Sequence, residues 1–324
     1  MATRNAGTPV HIILRVIGAV SLAIGGASAS LAEPIRIAFP ADSVDFTPAY
    51  VAQKIGLFKK SNLEVQISTF RGGAAVQEAM NAGAADLISY FGPAVALAVS
   101  KGAKEKFVMA VLPGAAGWSC IVKADSLITT VKQLEGKKVG ISSKASTSDM
   151  AALWMAERAG ITMQQIPLGA GLAPGLRSGQ VDAIVFSALT TQREILSGRA
   201  RQLVDIGKEM PPTLANGYVA SQAMIDKRPA ELRATISALL DAAAYLRSNR
   251  EWTLDFLKEF AKSDDAALNE ALYKQVVEQI SADGQIEPAW IEAGLHLAAR
   301  AWEVPELANM DVRTLYTIEF LPKK

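Results

Sequence analysis

From residue 33 onward the chain alternates short apolar runs with amphipathic stretches. The runs at 35–39, 63–70, 86–91 and 106–112 predict strands. The segments 48–58, 74–82 and 93–100 between them read as helices. After 114–118 the cycle restarts, with strands expected at 118–123, 138–142, 165–168, 182–186 and 202–206 and helices at 148–159, 172–178 and 191–198. The last third changes character. Leu232, Ile236, Leu239, Leu240, Ala243 and Leu246 recur at helical spacing, and further helices are expected at 251–260, 266–280 and 288–302. These helices bring no strand of their own, so they are expected to return to the first lobe. The order predicts an α/β protein of two lobes, each a mainly parallel sheet flanked by helices, with a ligand cleft between them. The expected division is 33–117 for the first part of lobe 1, 118–215 for lobe 2 and 216–324 for the return. The chain then crosses near 114–118 and 212–218, and both stretches hold Gly or Pro, as a hinge would.

The first 32 residues follow a different pattern. Arg4 and Arg15 precede the apolar run 16–24, and small residues lead to Ala32 before the first acid, Glu33. That order is the order of a secretory signal peptide, and the apolar run is shorter than the roughly 20 residues a membrane span needs. A periplasmic protein cleaved near Ala32 is expected. Without Arg4 and Arg15 the chain has 31 basic and 32 acidic residues, a net charge of −1. Half of the residues are hydrophobic and 20% are charged, which suits a large packed core and gives no basic field for nucleic acid. The single cysteine, Cys120, sits in an apolar strand-like run and reads as a buried small side chain.

Four phrases occur in a fixed order. The first is the stretch 48–58 closing on Gly56, Leu57 and Phe58, followed by Leu63-Glu64-Val65. The second is 72–86, from Gly72-Gly73 to Ala85-Asp86. Then come Leu134-Glu135-Gly136-Lys137-Lys138-Val139-Gly140 and Leu176-Arg177-Ser178-Gly179-Gln180-Val181-Asp182-Ala183. Over residues 33–218 this order resembles the nitrate/sulfonate/taurine and thiamine-precursor group of ABC-transporter solute-binding proteins. The resemblance implies a type II periplasmic-binding-protein fold. It also implies capture of a small molecule by lobe closure, and the loops that carry both Asp42/Asp45 and Arg71/Lys144 favour a polar organic one, such as a sulfonate or a pyrimidine precursor, with no catalysis or cofactor expected. The implied partners are a membrane permease and its ATPase, and the protein would act as a monomer. A periplasmic sensor is the alternative, and a thiamine-pyrimidine synthase-like enzyme a more remote one. The phrases themselves have plain roles: Gly56 as a left-handed cap, and Asp86 and Asp182 as turn residues opening strands.

In an open α/β sheet, ligands gather beyond the carboxyl ends of the strands. That rule selects Asp42, Ser43 and Phe46 after the first strand, Gly72 and Gly73 after the second, and Phe91 and Gly92 after the third. In lobe 2 it selects Ser146, Thr147 and Ser148 at a helix start, and Ser187 after a later strand. The helix start presents free N–H groups, with Lys144 close in sequence to add charge. Its ordinary role is an N-cap. Phe46, Tyr50 and Phe91 are candidates for a flat apolar wall. Asp42 and Asp45 read either as acceptors for a cationic group or as caps of the helix at Thr47. Tyr218 and Trp118, at the proposed crossings, are expected to reach the cleft. Catalytic patterns are missing from the sequence: His11 lies in the leader, His296 in a late helix, and neither a metal-spaced Cys/His cluster nor a P-loop occurs.

Overall fold

A computed structural model describes residues 33–323. The segment read as a signal peptide lies outside the described residues. In chain order the elements of lobe 1 are β1 (Ile35–Phe39), α1 (Thr47–Lys54), α2 (Leu57–Lys60), β2 (Val65–Thr69), α3 (Gly73–Asn81), β3 (Leu87–Tyr90), α4 (Gly92–Ser100) and β4 (Glu105–Pro113). Then follow β5 (Ser119–Lys123), β6 (Lys138–Ile141), α5 (Thr147–Ala159), β7 (Gln164–Pro167), α6 (Leu172–Ser178), β8 (Ala183–Phe186), α7 (Ala188–Leu196), β9 (Ala200–Asp205) and α8 (Ile206–Glu209). The chain closes with β10 (Leu214–Ser221), α9 (Gln222–Lys227), α10 (Pro229–Ser248), α11 (Arg250–Ala261), α12 (Ala266–Gln279) and α13 (Pro288–Ala301).

The strands form two five-stranded sheets, ordered β2-β1-β3-β10-β4 and β7-β6-β8-β5-β9. Each is mixed: β1, β2 and β3 run parallel, while β10 runs antiparallel between β3 and β4. Likewise β6, β7 and β8 are parallel and β5 runs antiparallel between β8 and β9. The strands buried on both faces are continuous apolar runs, as parallel sheets covered by helices require. Cys120 is one of these core residues, wholly buried in β5, and the loss of water pushes its thiol up to about 12.

β10 corrects the expected second crossing. Residues 214–218 are strand rather than connector, so the first sheet reclaims the chain at Leu214. Asn216-Gly217 has the look of a turn, yet Gly217 is there because backbone comes close. A Cβ at Gly217 would stand 2.9 Å from the Met109 carbonyl and from the Phe107 ring. The late helices also reach further than expected. α10 packs on α1 in lobe 1, but α12 contacts α7 and α13 contacts α5 of lobe 2. An Arg300–Glu157 ion pair of 2.9 Å accompanies the α13–α5 contact. The two connections lie against each other, since the Ile206 N–H donates to the Trp118 carbonyl at 3.0 Å. A Cβ on Gly207 would sit 2.6 Å from the Ala116 Cα.

Asp86 and Asp182 do more than shape turns. The Asp86 carboxylate accepts from the Arg36 backbone N–H at 2.9 Å and from its guanidinium at 3.0 and 2.8 Å. Asp182 accepts from the Lys138 N–H at 2.9 Å. Each aspartate pins the start of a central parallel strand. Among the described residues, no helix is long and apolar enough to cross a membrane.

Candidate functional site

The carboxyl ends of the strands of both sheets converge on a small inner chamber of about 60 Å³. Lobe 1 supplies Pro40, Ser43, Asp45 and Phe46 after β1, and Gly73 at the start of α3. It also supplies Ser89, Tyr90 and Phe91 from β3 and its exit, and Asn216 from β10. Lobe 2 supplies Ser142, Ser146, Thr147, Phe186 and Ser187, and Trp118 enters from the connection. Outside it a vestibule of about 560 Å³ is lined by Asp42, Arg71, Gly72, Arg177, Arg193 and Lys262, among others. Pro40, Ala41, Ser142 and Phe186 line both spaces, so they form one continuous recess. A larger hollow of about 750 Å³ lies near Arg36, Asp86, Lys104 and Arg228. It sits at the opposite ends of the strands, where this class of sheet does not bind ligands.

The chamber's chemistry is uneven. Asp45 is its only charged lining residue among those described. It is 2% exposed, and burial pushes its carboxyl up to about 6, with the polar Ser43 and Asn216 side chains beside it partly offsetting the loss of water. Gln275 of α12 donates to it at 3.4 Å. Asn216 is itself held by Ser89, whose hydroxyl donates to its Oδ1 at 2.5 Å. Three donors in the wall are buried with no partner: the Trp118 indole N–H and the Ser43 and Ser187 hydroxyls. Ser187 is the N-cap of α7 yet does not cap it, whereas Ser146 caps α5 by accepting from the Asp149 N–H at 3.3 Å. Phe46 stacks on Phe39, ring centroids 4.4 Å apart, and Trp118 meets Phe186 edge-on at 5.6 Å.

Of the residues expected from sequence, Ser43, Phe46, Gly73, Phe91, Ser146, Thr147 and Ser187 line the chamber. Asp42 and Gly72 line the vestibule, where a Cβ on Gly72 would come to 3.4 Å from Ser143 of the opposite lobe. Gly73 is required by its neighbour, because a Cβ there would enter the Tyr90 ring at 2.3 Å. Three residues fall elsewhere. Gly92 opens α4 against the Leu214 carbonyl, 3.1 Å from an added Cβ. Ser148 is wholly buried and spends its hydroxyl on the Ser142 N–H at 2.9 Å. Tyr218 points into the lobe 1 core beside Phe39, its hydroxyl unpartnered and its pKa raised by desolvation. Lys144 also turns away, reaching Asp149 at 3.3 Å and Gln165 at 3.2 Å. Asp45 is not a cap of α1: Phe46 occupies that position, and the Thr47 hydroxyl bonds the Val44 carbonyl. Asn216, Ser89 and Phe186 were not singled out from sequence. Asn216 gives no sequence signal, because residues 212–218 read as a connector while the structure makes 214–218 part of β10.

A family model described as NMT1/THI5 like matches residues 43–251. The chain belongs to this NMT1/THI5-like family. It is 27% identical over 237 residues to an aliphatic sulfonates-binding protein of Escherichia coli (strain K12), covering 71% of this chain and 72% of the relative. Among solved structures, one from Bordetella bronchiseptica RB50 superposes with a TM-score of 0.76 at 25% identity, covering 89% of this chain and 95% of that one. The alkanesulfonate-binding protein SsuA of Xanthomonas axonopodis pv. citri, bound to MOPS, superposes with a TM-score of 0.73. At 19% identity, covering 88% of this chain and 94% of that one, it shares the fold. This member of the family therefore has the two-lobed periplasmic-binding-protein fold.

Proposed function

We propose that the chain is a periplasmic solute-binding protein of an ABC importer that encloses a small polar organic molecule between its lobes. It then presents the closed form to a permease driven by an ATPase. The single observation that carries this reading is the chamber itself. Its wall is built from both lobes, at the carboxyl ends of both sheets, and holds unpartnered donors beside the Asp45 acceptor. The sulfonate-binding relatives support the same role. Export would follow from the leader at 1–32, and the mature chain would then begin near Glu33.

A protein that binds ligand only when folded is stabilised by mass action, by about 2.7 kcal/mol at a hundred times Kd. A thermal-shift screen of sulfonates, nitrate, pyrimidines, aromatic carboxylates and amino acids is expected to give a few hits, each raising Tm by several degrees. Each hit is expected to be recovered chemically unchanged, and X-ray scattering should report a particle at least as compact with ligand. Turnover of a hit, abolished by substitutions in the chamber, would replace this reading with an enzyme.

A further inference from the structure

The residue that sets ligand class is the buried acid. The first N–H groups of α5, the unpartnered Ser43 and Ser187 hydroxyls and the unpartnered Trp118 N–H give the chamber an excess of donors. In a chamber with no other charge, those donors would suit a bare anion. Asp45 changes the outcome, because it places a carboxylate in the same 60 Å³ space. A sulfonate, nitrate or carboxylate group entering it would meet a like charge, with almost no water to screen it. Among the described residues, no basic side chain lines the chamber to offset that charge. The polar groups beside Asp45, namely Ser43 on its own turn, Asn216 of β10 and Gln275 of α12, which donates to it, are all uncharged. The other titratable lining residue, Tyr90 of β3, stays neutral because burial raises its pKa.

The cations lie one step outward. Glu194 holds Arg177 at 2.6 Å and Arg199 at 3.0 Å, and Arg193 donates to the Ala261 carbonyl. That leaves Arg71 and Lys262 in the vestibule wall, with no ion pair or side-chain hydrogen bond among the described residues. Acceptor inside and cations outside form a polarity along the recess.

Resting on the solute-binding reading, we propose that Asp45 selects an organic ion with two ends. A compact N–H-bearing cationic group, such as an ammonium or amidinium, enters the chamber against Asp45. An anionic group on the same molecule faces Arg71 and Lys262. The small chamber admits a head of a few heavy atoms, and the vestibule takes the remainder.

Calorimetry with matched pairs that differ only in the amino group tests this. The pairs are 4-(aminomethyl)benzoate and 4-methylbenzoate, 3-aminopropanoate and propanoate, and 2-aminoethanesulfonate and ethanesulfonate. At pH 8 the wild-type protein should bind the amino member of at least one pair tenfold or more tightly. Asp45→Asn, nearly the same size, should erase that preference. Arg71→Ala with Lys262→Ala should weaken both members and leave the preference in place. A second measurement needs no variant: between pH 8 and pH 5 the wild-type preference should collapse as Asp45 takes up a proton, while the amine stays charged. Equal or tighter binding of the amino-free members, or a preference that survives Asp45→Asn, overturns the assignment. If none of the six binds but other solutes of the thermal screen do, the two-ended ion is refuted and the solute-binding reading stands. If nothing in either set binds, the solute-binding reading falls with it.

Discussion

The two lobes are built on one plan and diverge where they face each other. Their sheets have the same order, with a parallel trio, one antiparallel strand and an outer strand. In both, an aspartate at the end of a Gly-bearing turn pins the start of a central strand. In both, the loop after the first parallel strand of the trio's centre leads into a helix at the chamber, α1 after β1 and α5 after β6. Yet the first loop delivers a carboxylate and a phenyl ring, Asp45 and Phe46, and the second delivers hydroxyls, Ser142, Ser146 and Thr147. Shared topology sets where a ligand is held. The two equivalent loops differ in what they present there: lobe 1 offers a carboxylate, while the Ser142 and Ser146 hydroxyls of lobe 2 donate within their own loop.

The sharpest way to break that contrast is to remove the charge from lobe 1. Asp45 is wholly buried, and its carboxyl moves from an ordinary value of 3.8 to about 6. A carboxyl raised in the folded state costs stability above its folded value. That cost is fully present above about pH 6, shrinks as pH falls through the window from 6 to 4, and is gone below the unfolded value. The shift corresponds to about 3 kcal/mol. In the absence of ligand, Asp45→Asn is therefore expected to raise stability at pH 8 by up to about 3 kcal/mol, less whatever the amide fails to pair. Urea melts of wild type and variant should converge near pH 4. Glu105 is also raised by burial, but it is common to both proteins and cancels in the difference. A variant less stable than wild type at pH 8 would mean that Asp45 is better satisfied than its surroundings imply.

The scaffold was legible in the sequence to a greater degree than the site. Strands such as 35–39 and 138–142 are apolar runs bounded by turns, a local signal, and the structure places them within a residue. Gly56 has φ +77, the left-handed geometry its phrase implied. β10 was missed because its evidence is not local: only the approach of Met109 and Phe107 makes Gly217 a strand residue. The same limit governs the site. A serine next to a helix start looks alike whether it caps the helix, braces the loop or faces the ligand. Ser146 caps the helix and Ser148 braces the loop, whereas Ser187 lines the chamber with its hydroxyl unpartnered. Asn216 and Tyr218 are two residues apart, and a regular strand would put both on one face; the register shift between Asn216 and Gly217 sends Asn216 to the chamber and Tyr218 to the core, and no local pattern announces it.

A smaller effect compares the two strand-end aspartates. Asp86 holds a backbone N–H and both arms of a guanidinium, with Arg228 4.0 Å away. Asp182 holds one backbone N–H at an exposed position. Hydrogen bonds to charged groups are worth about 1.5–3 kcal/mol when well enclosed and less at the surface. Asp86→Asn is expected to cost about 2 kcal/mol and Asp182→Asn under about 1 kcal/mol by chemical denaturation. Equal costs would mean that the guanidinium adds nothing to the lock.

The smallest predicted effect separates neighbours at the start of α5. Ser148 and Thr147 are adjacent in sequence and lie in the same loop, but their hydroxyls face opposite tasks. The Ser148 Oγ accepts from the Ser142 N–H and stands 2.9 Å from both the Ser142 and Ser146 hydroxyls. Removing it leaves a part-buried N–H without its acceptor, so Ser148→Ala should cost about 1 kcal/mol of stability. The Thr147 hydroxyl reaches across the cleft to the Ala215 carbonyl at 3.4 Å, too long to matter much for folding. Thr147 is buried but lines the chamber, so Thr147→Ala, which removes only a 3.4 Å contact, should shift stability by about 0.5 kcal/mol or less. Binding should respond in the opposite order. Thr147 lines the chamber and bridges the lobes, whereas Ser148 lines nothing. Ligand affinity by calorimetry should therefore fall several-fold in Thr147→Ala and only slightly in Ser148→Ala, while the melts rank them the other way. If both variants weakened binding alike, the helix start would be acting as one unit, and lobe 2 would contribute its backbone rather than a particular hydroxyl.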